Sequence, residues 1–247
     1  MKVFFHERFH DVYTSDPAAA PGRMAAVVST LQGRMDFVAA EPAEEGDILA
    51  VHEPSHVEEV KGEGLYEIAA LAAGGAVQAA ESGLYEPCFA LIRPPGHHAS
   101  AGSAWGFCYF NNMAIALDRL YRKGATANAF VLDFDLHFGD GTVNILGGKG
   151  YATIFNPSST DPREYVASVE ARLASGSWDI IGVSAGFDNH IADWGGLLAT
   201  EDYRTLGRLV RQAAIRSKGG CFAVLEGGYN HRVLGENVLA FLEGMDR

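Results

Sequence analysis

Short apolar runs alternate with longer helical stretches along most of this chain, and that alternation constrains its fold more than any other feature. The runs are Lys2–Phe5, Phe89–Arg93, Ala129–Leu136, Ala152–Phe155, Asp179–Ser184 and Cys221–Leu225. Between them, Arg23–Leu31, Tyr66–Ser82, Asn112–Lys123, Arg163–Leu173, Glu201–Ser217 and Val233–Leu242 read as helices. The later runs are nearly continuous in hydrophobicity, as expected for strands buried on both faces of a parallel sheet. Thr200 reads as an N-cap, with Glu201 and Asp202 following it near the positive helix end. No repeat or linker divides the chain, so the expectation is one α/β domain over residues 1–247 with helices on both faces. In such sheets, ligands bind in the crevice beyond the carboxyl ends of the strands. Functional residues are therefore sought just after each run.

Composition narrows the class. Hydrophobic residues make up 48% of the 247 and charged residues 20%, enough apolar material for a sizeable core, which excludes disorder or a low-complexity fibre as the main state. Nineteen Lys and Arg against 31 Asp and Glu give a net charge of -12. That field repels phosphate backbones, argues against a dedicated nucleic-acid binder and mildly favours cationic ligands. Three cysteines (Cys88, Cys108 and Cys221) form no CxxC pair, which points to a reducing compartment. The opening MKVFFHERFH turns polar too early for a signal peptide, and no run reaches the roughly 18 apolar residues of a membrane span. A soluble, cytoplasmic protein is expected.

Four unusual clusters follow the runs. The densest is Asp133-Phe134-Asp135-Leu136-His137-Phe138-Gly139-Asp140-Gly141. Alternation in an extended segment would bring Asp133, Asp135 and His137 out on one face. Three ionisable groups at the rim of a hydrophobic sheet are costly unless a cation or hydrogen bonds compensate them, and carboxylate with imidazole suits a divalent transition metal. The bland reading is a turn that caps a strand. Arg93-Pro94-Pro95-Gly96-His97-His98 holds two adjacent histidines after a stiff turn, an acid–base device or a pair of exposed loop residues. Ser184-Ala185-Gly186-Phe187-Asp188 ends in a carboxylate that alone reads as a turn residue. Glu226-Gly227-Gly228-Tyr229-Asn230 presents a tyrosine that alone reads equally as core. Taken together, Asp135, His137 and Asp188 offer three N/O ligands and leave a coordination position open, the arrangement of a catalytic rather than a structural zinc site. With histidines and a phenol nearby, the combined reading is metal-assisted hydrolysis.

The segments RPPGHHA (93–99), GFCYFNN (106–112), DFDLHFGDG (133–141), SAGFD (184–188) and EGGYN (226–230) stand in the order found in the zinc-dependent histone deacetylase and acetylpolyamine amidohydrolase superfamily, which this chain resembles. The resemblance runs from mid-chain almost to the end, with a looser HEPSHVEEV at 52–60. It implies the arginase–deacetylase fold, a parallel sheet of about eight strands flanked by helices. Carried over residue by residue, it implies Asp135, His137 and Asp188 as metal ligands and His97 and His98 as the tandem histidines. Tyr229 becomes the residue that polarises the substrate carbonyl. Asp133 and Asp140 would fix the tautomers of His97 and His98. Gly106 and Phe107 would wall the channel around an acyl-lysine-like chain. The family also binds potassium through the Asp133, Asp135 and His137 segment, with Thr153 and Ile154 completing the site. The expected cofactor is zinc, with ferrous iron as its alternative, and the expected substrate is an acylated lysine or polyamine.

Three departures from the family pattern stand out, of which the first should leave metal binding unaffected and the other two bear on selectivity. Phe138 stands where many relatives have a second histidine, on the face opposite His137. The stretch from Asn156 to Asp179 and the VEEVKGEGL link before Tyr66 are short, which implies a wider or shallower mouth and weak peptide-sequence selectivity. Gly195, beside Trp194, occupies the position of the acidic gatekeeper of polyamine-selective relatives. The glycines of EGGYN are expected to leave the Tyr229 segment free to swing. An arginase-type hydrolase would need a second metal and a further carboxylate, but Gly139 stands two residues past His137. A non-catalytic acetyl-lysine binder or regulatory relative would have lost a ligand, the tyrosine or the histidine pair, and none is missing.

Overall fold

The most apolar runs become the middle of the sheet. In the computed structural model, which describes residues 1–246, β4 (Ala129–Asp133), β6 (Ile180–Ala185) and β7 (Gly220–Leu225) are buried at every position. With β1 (Lys2–Phe5), β2 (Asp36–Ala39), β3 (Cys88–Ala90) and β5 (Ala152–Phe155) they form one sheet in the order β2-β1-β3-β7-β6-β4-β5. Every ladder is parallel. Seven strands are present among the described residues, in line with the expected sheet of about eight. The connection from β5 to β6 is short and holds a single helix, with no further strand.

Helices cover both faces. On one side α4 (Tyr66–Gly83) packs on β1, β3 and β7 and lies beside α5 (Asn112–Arg122), which reaches β6. Helix α4 is so rich in alanine and glycine that it is buried almost all round, and a side chain at Gly83 would run into Phe222 of β7. On the other side α8 (Thr200–Ser217) packs on β6 and β7 and is flanked by α7 (Pro162–Ala174) and α9 (His231–Asp246), with α1 (Arg23–Leu31) against α9. The buried Tyr203, Leu206, Leu209, Val210 and Ala213 give α8 a stripe at helical spacing. Its cap is Ala199, not Thr200. Asp202 Oδ2 accepts the Ala199 N–H at 2.8 Å, while the Thr200 hydroxyl, already inside the helix, donates to Asn237 at 2.7 Å. Among the described residues, no helix is long and apolar enough to cross a membrane.

Four elements carry no strong periodic signal and escape the sequence reading: the mostly exposed edge strand β2, α2 (Glu45–Leu49), α3 (Pro54–Gly62) and α6 (Asp140–Leu146). Strands β3, β7, β6 and β4 are consecutive neighbours in the sheet, and each of the four residue clusters leaves one of them at its carboxyl end. The sheet order therefore gathers segments that lie more than a hundred positions apart in the chain.

Candidate active site

The route by which Asp133, Asp135 and His137 come together differs from strand alternation. Strand β4 ends at Asp133. Beyond it, Asp133 Oδ1 accepts the Asp135 N–H at 3.2 Å and Asp135 Oδ1 accepts the His137 N–H at 2.9 Å. Each aspartate thus bonds the backbone two residues on, the hydrogen bond of an Asx turn. Two in succession coil the chain so that His137 Nδ1 lies 3.2 Å from Asp135 Oδ1. Asp188, just past β6, accepts the Leu136 N–H through Oδ1 and brings Oδ2 to 3.2 Å from the same imidazole nitrogen. Ligand atoms of Asp135, His137 and Asp188 all lie within 4.8 Å of one another. Gly227 makes room for this, since a Cβ there would stand 2.6 Å from Asp135 Oδ2 and 2.8 Å from the Asp188 carboxylate. Gly186 is equally constrained by Asp135.

The donor set fits a divalent cation. Asp133, Asp135, Asp188 and Glu226 are all buried, with the imidazoles of His97 and His137 against them. One imidazole nitrogen cannot hydrogen-bond well to two carboxylates, and Asp188 Oδ2 is left buried with no hydrogen bond. An orphaned carboxylate oxygen of this kind costs free energy unless a cation meets it. Protons take up part of that charge: the hydrogen bond to Asp135 and the adjacent Asp188 carboxylate hold His137 up at about 10, and burial beside Asp135 pushes Asp188 up to about 6. Burial disfavours the Asp135 carboxylate too, but the His97 charge and hydrogen bonds from His137 and Gly227 keep it below the usual range.

The tandem histidines stand beside this cluster, each on its own carboxylate. His97 Nδ1 is 3.1 Å from Asp133 Oδ2 and His98 Nδ1 is 2.7 Å from Asp140 Oδ1, which leaves both Nε2 atoms directed away from those partners. Burial opposes charge on His97, but Asp135 and Asp133 outweigh it and raise its pKa well above the ordinary value. Burial, reinforced by the His97 charge, lowers His98 to about 4. The two imidazoles are thus pushed in opposite directions, the separation that acid–base chemistry exploits. Trp105 stacks on His98 with ring centroids 3.8 Å apart and donates its indole N–H to Asp140 at 2.9 Å, so one carboxylate fixes both rings.

Tyr229 closes the opposite side, and its segment, expected to be free, is tied by hydrogen bonds on both flanks. Arg23, buried in α1, donates to the Glu226 and Gly228 carbonyls, while Asp193 Oδ2 accepts the N–H groups of Tyr229 and Asn230, both at 2.8 Å. Gly227 serves close approach, and Gly228 a backbone φ of 116°. The Tyr229 ring stacks on Trp194 at 4.1 Å and meets Phe107 edge-on at 6.0 Å. Burial pushes its phenol well above the usual range, so the hydroxyl remains a donor. Phe107 holds a left-handed φ of 69° after Gly106 at 60°, a conformation that costs a phenylalanine about 1–3 kcal/mol and turns its ring into the cavity. A side chain at Gly106 would collide with the His98 ring. A cavity of about 120 Å³ results, lined by His97, His98, Phe107, His137, Trp194 and Tyr229 among others.

The mouth is framed by aromatic rings rather than long loops, with Trp105 and Trp194 each more than half exposed. Phe138 faces solvent. Thr153 and Ile154 lie within β5, paired with Phe130 and Val131, and it is Asn156, beyond the strand, that reaches the cluster by accepting the Gly139 N–H at 2.9 Å.

Sequence reasoning missed Glu226, Arg23 and Asp193. Glu226 is fully buried; Oε2 accepts from the backbone of Gly96 and His97 and Oε1 from Ser184, so it ties three strand ends together. Its signal was a carboxylate that directly ends an apolar run. Arg23 and Asp193 carry no such signal, because their partners are backbone atoms.

A helix-covered parallel sheet with an Asp–His–Asp cluster, a histidine pair and a tyrosine at its carboxyl edge is the architecture of the deacetylase class. Residues 18–155 and 148–245 match the histone deacetylase domain, and the chain belongs to that family. It is 31% identical to a probable deacetylase of Methanothermobacter thermautotrophicus over 99% of this chain and 90% of the relative. It is 29% identical to a histone deacetylase-like amidohydrolase of Pseudomonas aeruginosa, over 87% of this chain and 72% of the relative. An acetylpolyamine amidohydrolase of Mycoplana ramosa matches 65% of this chain and 57% of its own length at 29% identity. The crystal structure of the HDA15 HD domain superposes with a TM-score of 0.84 over 99% of this chain and 88% of that one, at 24% identity.

Proposed function

We propose that this chain is a metal-dependent amidohydrolase that removes acetyl or related acyl groups from lysine-like or polyamine amines. The observation that carries this is the buried Asp135–His137–Asp188 group with an unpaired Asp188 oxygen, set between a split histidine pair and a tyrosine hydroxyl. Asp135, His137 and Asp188 hold the ion; zinc suits these N/O donors and ferrous iron fits them as well. When bound, such an ion polarises an amide carbonyl and lowers the pKa of water. Membership of the deacetylase family and the amidohydrolase relatives support hydrolysis as the reaction.

The chain's own residues supply the rest. Neutral His98 takes a proton from the attacking water at Nε2, with Asp140 holding Nδ1–H, and returns it to the leaving amine. His97, held on Asp133 through Nδ1, turns Nε2 toward the negative charge that develops beside it. The Tyr229 hydroxyl donates to the carbonyl oxygen as that atom gains charge. Phe107 and Gly106 line the path of a slender aliphatic amine, with the rings of Trp105 and Trp194 beside it. Potassium, held by the Asp133–His137 segment, belongs to this reading as a structural ion. Release of fluorophore from an acetyl-lysine reporter, with zinc and with chelator, tests the proposal. Zinc-dependent release is expected; no release with any divalent metal would refute it.

A further inference from the structure

Trp105 stands outside the hydrophobic core, yet its ring is held at two points. It is 55% exposed, and a ring left half in water gains little from the hydrophobic effect, so burial does not explain its place. Both points belong to the proposed proton-transfer pair. The indole lies on His98 with ring centroids 3.8 Å apart, and its N–H donates to Asp140 Oδ2 at 2.9 Å.

The two histidine–carboxylate pairs differ in what secures them. Asp133, the partner of His97, has a fully buried side chain, and its second oxygen accepts the Asp135 N–H. Asp140, the partner of His98, has a side chain that is 45% exposed, on the first turn of α6. Water competes for such a carboxylate, and burial alone does not keep Oδ1 on His98 Nδ1. The indole N–H supplies that hold by occupying Oδ2. Because a carboxylate only accepts, Oδ1 then keeps the proton on Nδ1 and leaves Nε2 a bare acceptor.

The imidazole ring is gripped as well. His97 stands 4.0 Å from His98 and Trp105 stands 3.8 Å from it, centroid to centroid. Two rings that close cannot share one face, so His98 lies between them. Gly106 lets the chain return so near: its φ is 60°, and a Cβ there would stand 2.4 Å from His98 Cδ2.

We propose that Trp105 is the positioning residue of the general base, its ring setting the orientation of His98 and its indole N–H, through Asp140, setting the tautomer. The inference rests on the amidohydrolase reading and adds to it a residue that acts through another side chain. Trp105 also lines the cavity, so the competing role is a wall that only shapes substrate binding. Kinetics separate the two, because a wall is felt in KM and a positioning residue in kcat.

The test uses the zinc-loaded full chain and an acetyl-lysine reporter. Trp105→Phe keeps a ring over His98 and removes the N–H; it should lower kcat about tenfold, with KM and zinc content at the wild-type level. Trp105→Ala removes both and should cost about 100-fold, the scale of a misplaced catalytic group. In an Asp140→Ala background, where the link is already cut, Trp105→Phe should cost nothing further. A wild-type kcat in Trp105→Phe, a change confined to KM, or an equal loss with and without Asp140 would overturn the proposal. Should Trp105→Ala fail to fold, the phenylalanine variant and the cycle with Asp140 decide. If wild type hydrolyses nothing, the amidohydrolase reading falls, and nitrogen NMR shifts of the His98 ring decide the positioning role alone. A single Nδ1–H tautomer in wild type that becomes a mixture in Trp105→Phe upholds it, and the same tautomer in both removes it.

Discussion

Asp193 Oδ2 accepts the backbone N–H of Tyr229 at 2.8 Å, and with it that of Asn230, so one carboxylate fixes the segment that presents the tyrosine hydroxyl to the cavity. The Trp194 backbone N–H donates to the other oxygen at 2.8 Å, so the residue whose indole stacks on Tyr229 shares the same anchor. Displacement of a catalytic group by an ångström is enough to cost about 100-fold in rate. Asp193→Ala should therefore lower kcat by about 10- to 100-fold while metal content stays at the wild-type level. An unchanged kcat would mean that Arg23 alone holds the segment.

The Tyr229 hydroxyl itself is tested by Tyr229→Phe. Loss of one donor to a developing oxyanion costs about 10²–10³ in rate. The fall should appear in kcat on an acetyl-lysine reporter, with fold and metal content intact. Wild-type turnover by the variant would remove the phenol from the mechanism.

His98→Ala should cost about 10²–10⁴ in kcat, the usual contribution of a general acid–base group. Bound zinc should remain, because His98 faces Asp140 rather than the Asp135–His137–Asp188 group. A loss below about tenfold with full metal occupancy would assign proton transfer elsewhere.

Much of the fold was legible because the buried strands advertise themselves. Runs such as Ile180–Val183 and Cys221–Leu225 are apolar throughout, and the helices between them carry clear stripes. The edge strand β2 is mostly exposed and has no such run, so only its ladder with β1 reveals it. In the site, the residue types were readable and the means of their convergence was not. Asp133, Asp135 and His137 meet through side-chain-to-backbone turns, a geometry that mimics strand alternation in its outcome. The EGGYN glycines looked like freedom, whereas Gly227 makes room for two carboxylates and Arg23 and Asp193 hold the segment still. Those contacts join positions about 200 and 36 residues apart through backbone atoms, which leave no mark on the sequence.

His52 offers a pH test away from the metal cluster. Burial, aided by His56, lowers it to about 4 while its ring bridges Ser100 O and the Asn111 N–H, at 3.0 and 2.9 Å. A histidine depressed on folding gives stability that is complete above its unfolded value of about 6.5 and is lost as pH falls toward 4. The loss amounts to about 3 kcal/mol. In metal-free chemical denaturation, His52→Gln should lack that part of the decline between neutral pH and pH 4. Parallel pH profiles for the two proteins would show that His52 titrates normally.

The account depends most on Asp135, His137 and Asp188 as one metal site, and elemental analysis of purified wild type and Asp188→Ala measures it directly. One tightly bound divalent ion per chain is expected in wild type, with none in the variant and hydrolysis of the reporter lost alongside it. A variant that kept both the ion and full hydrolysis would contradict the site.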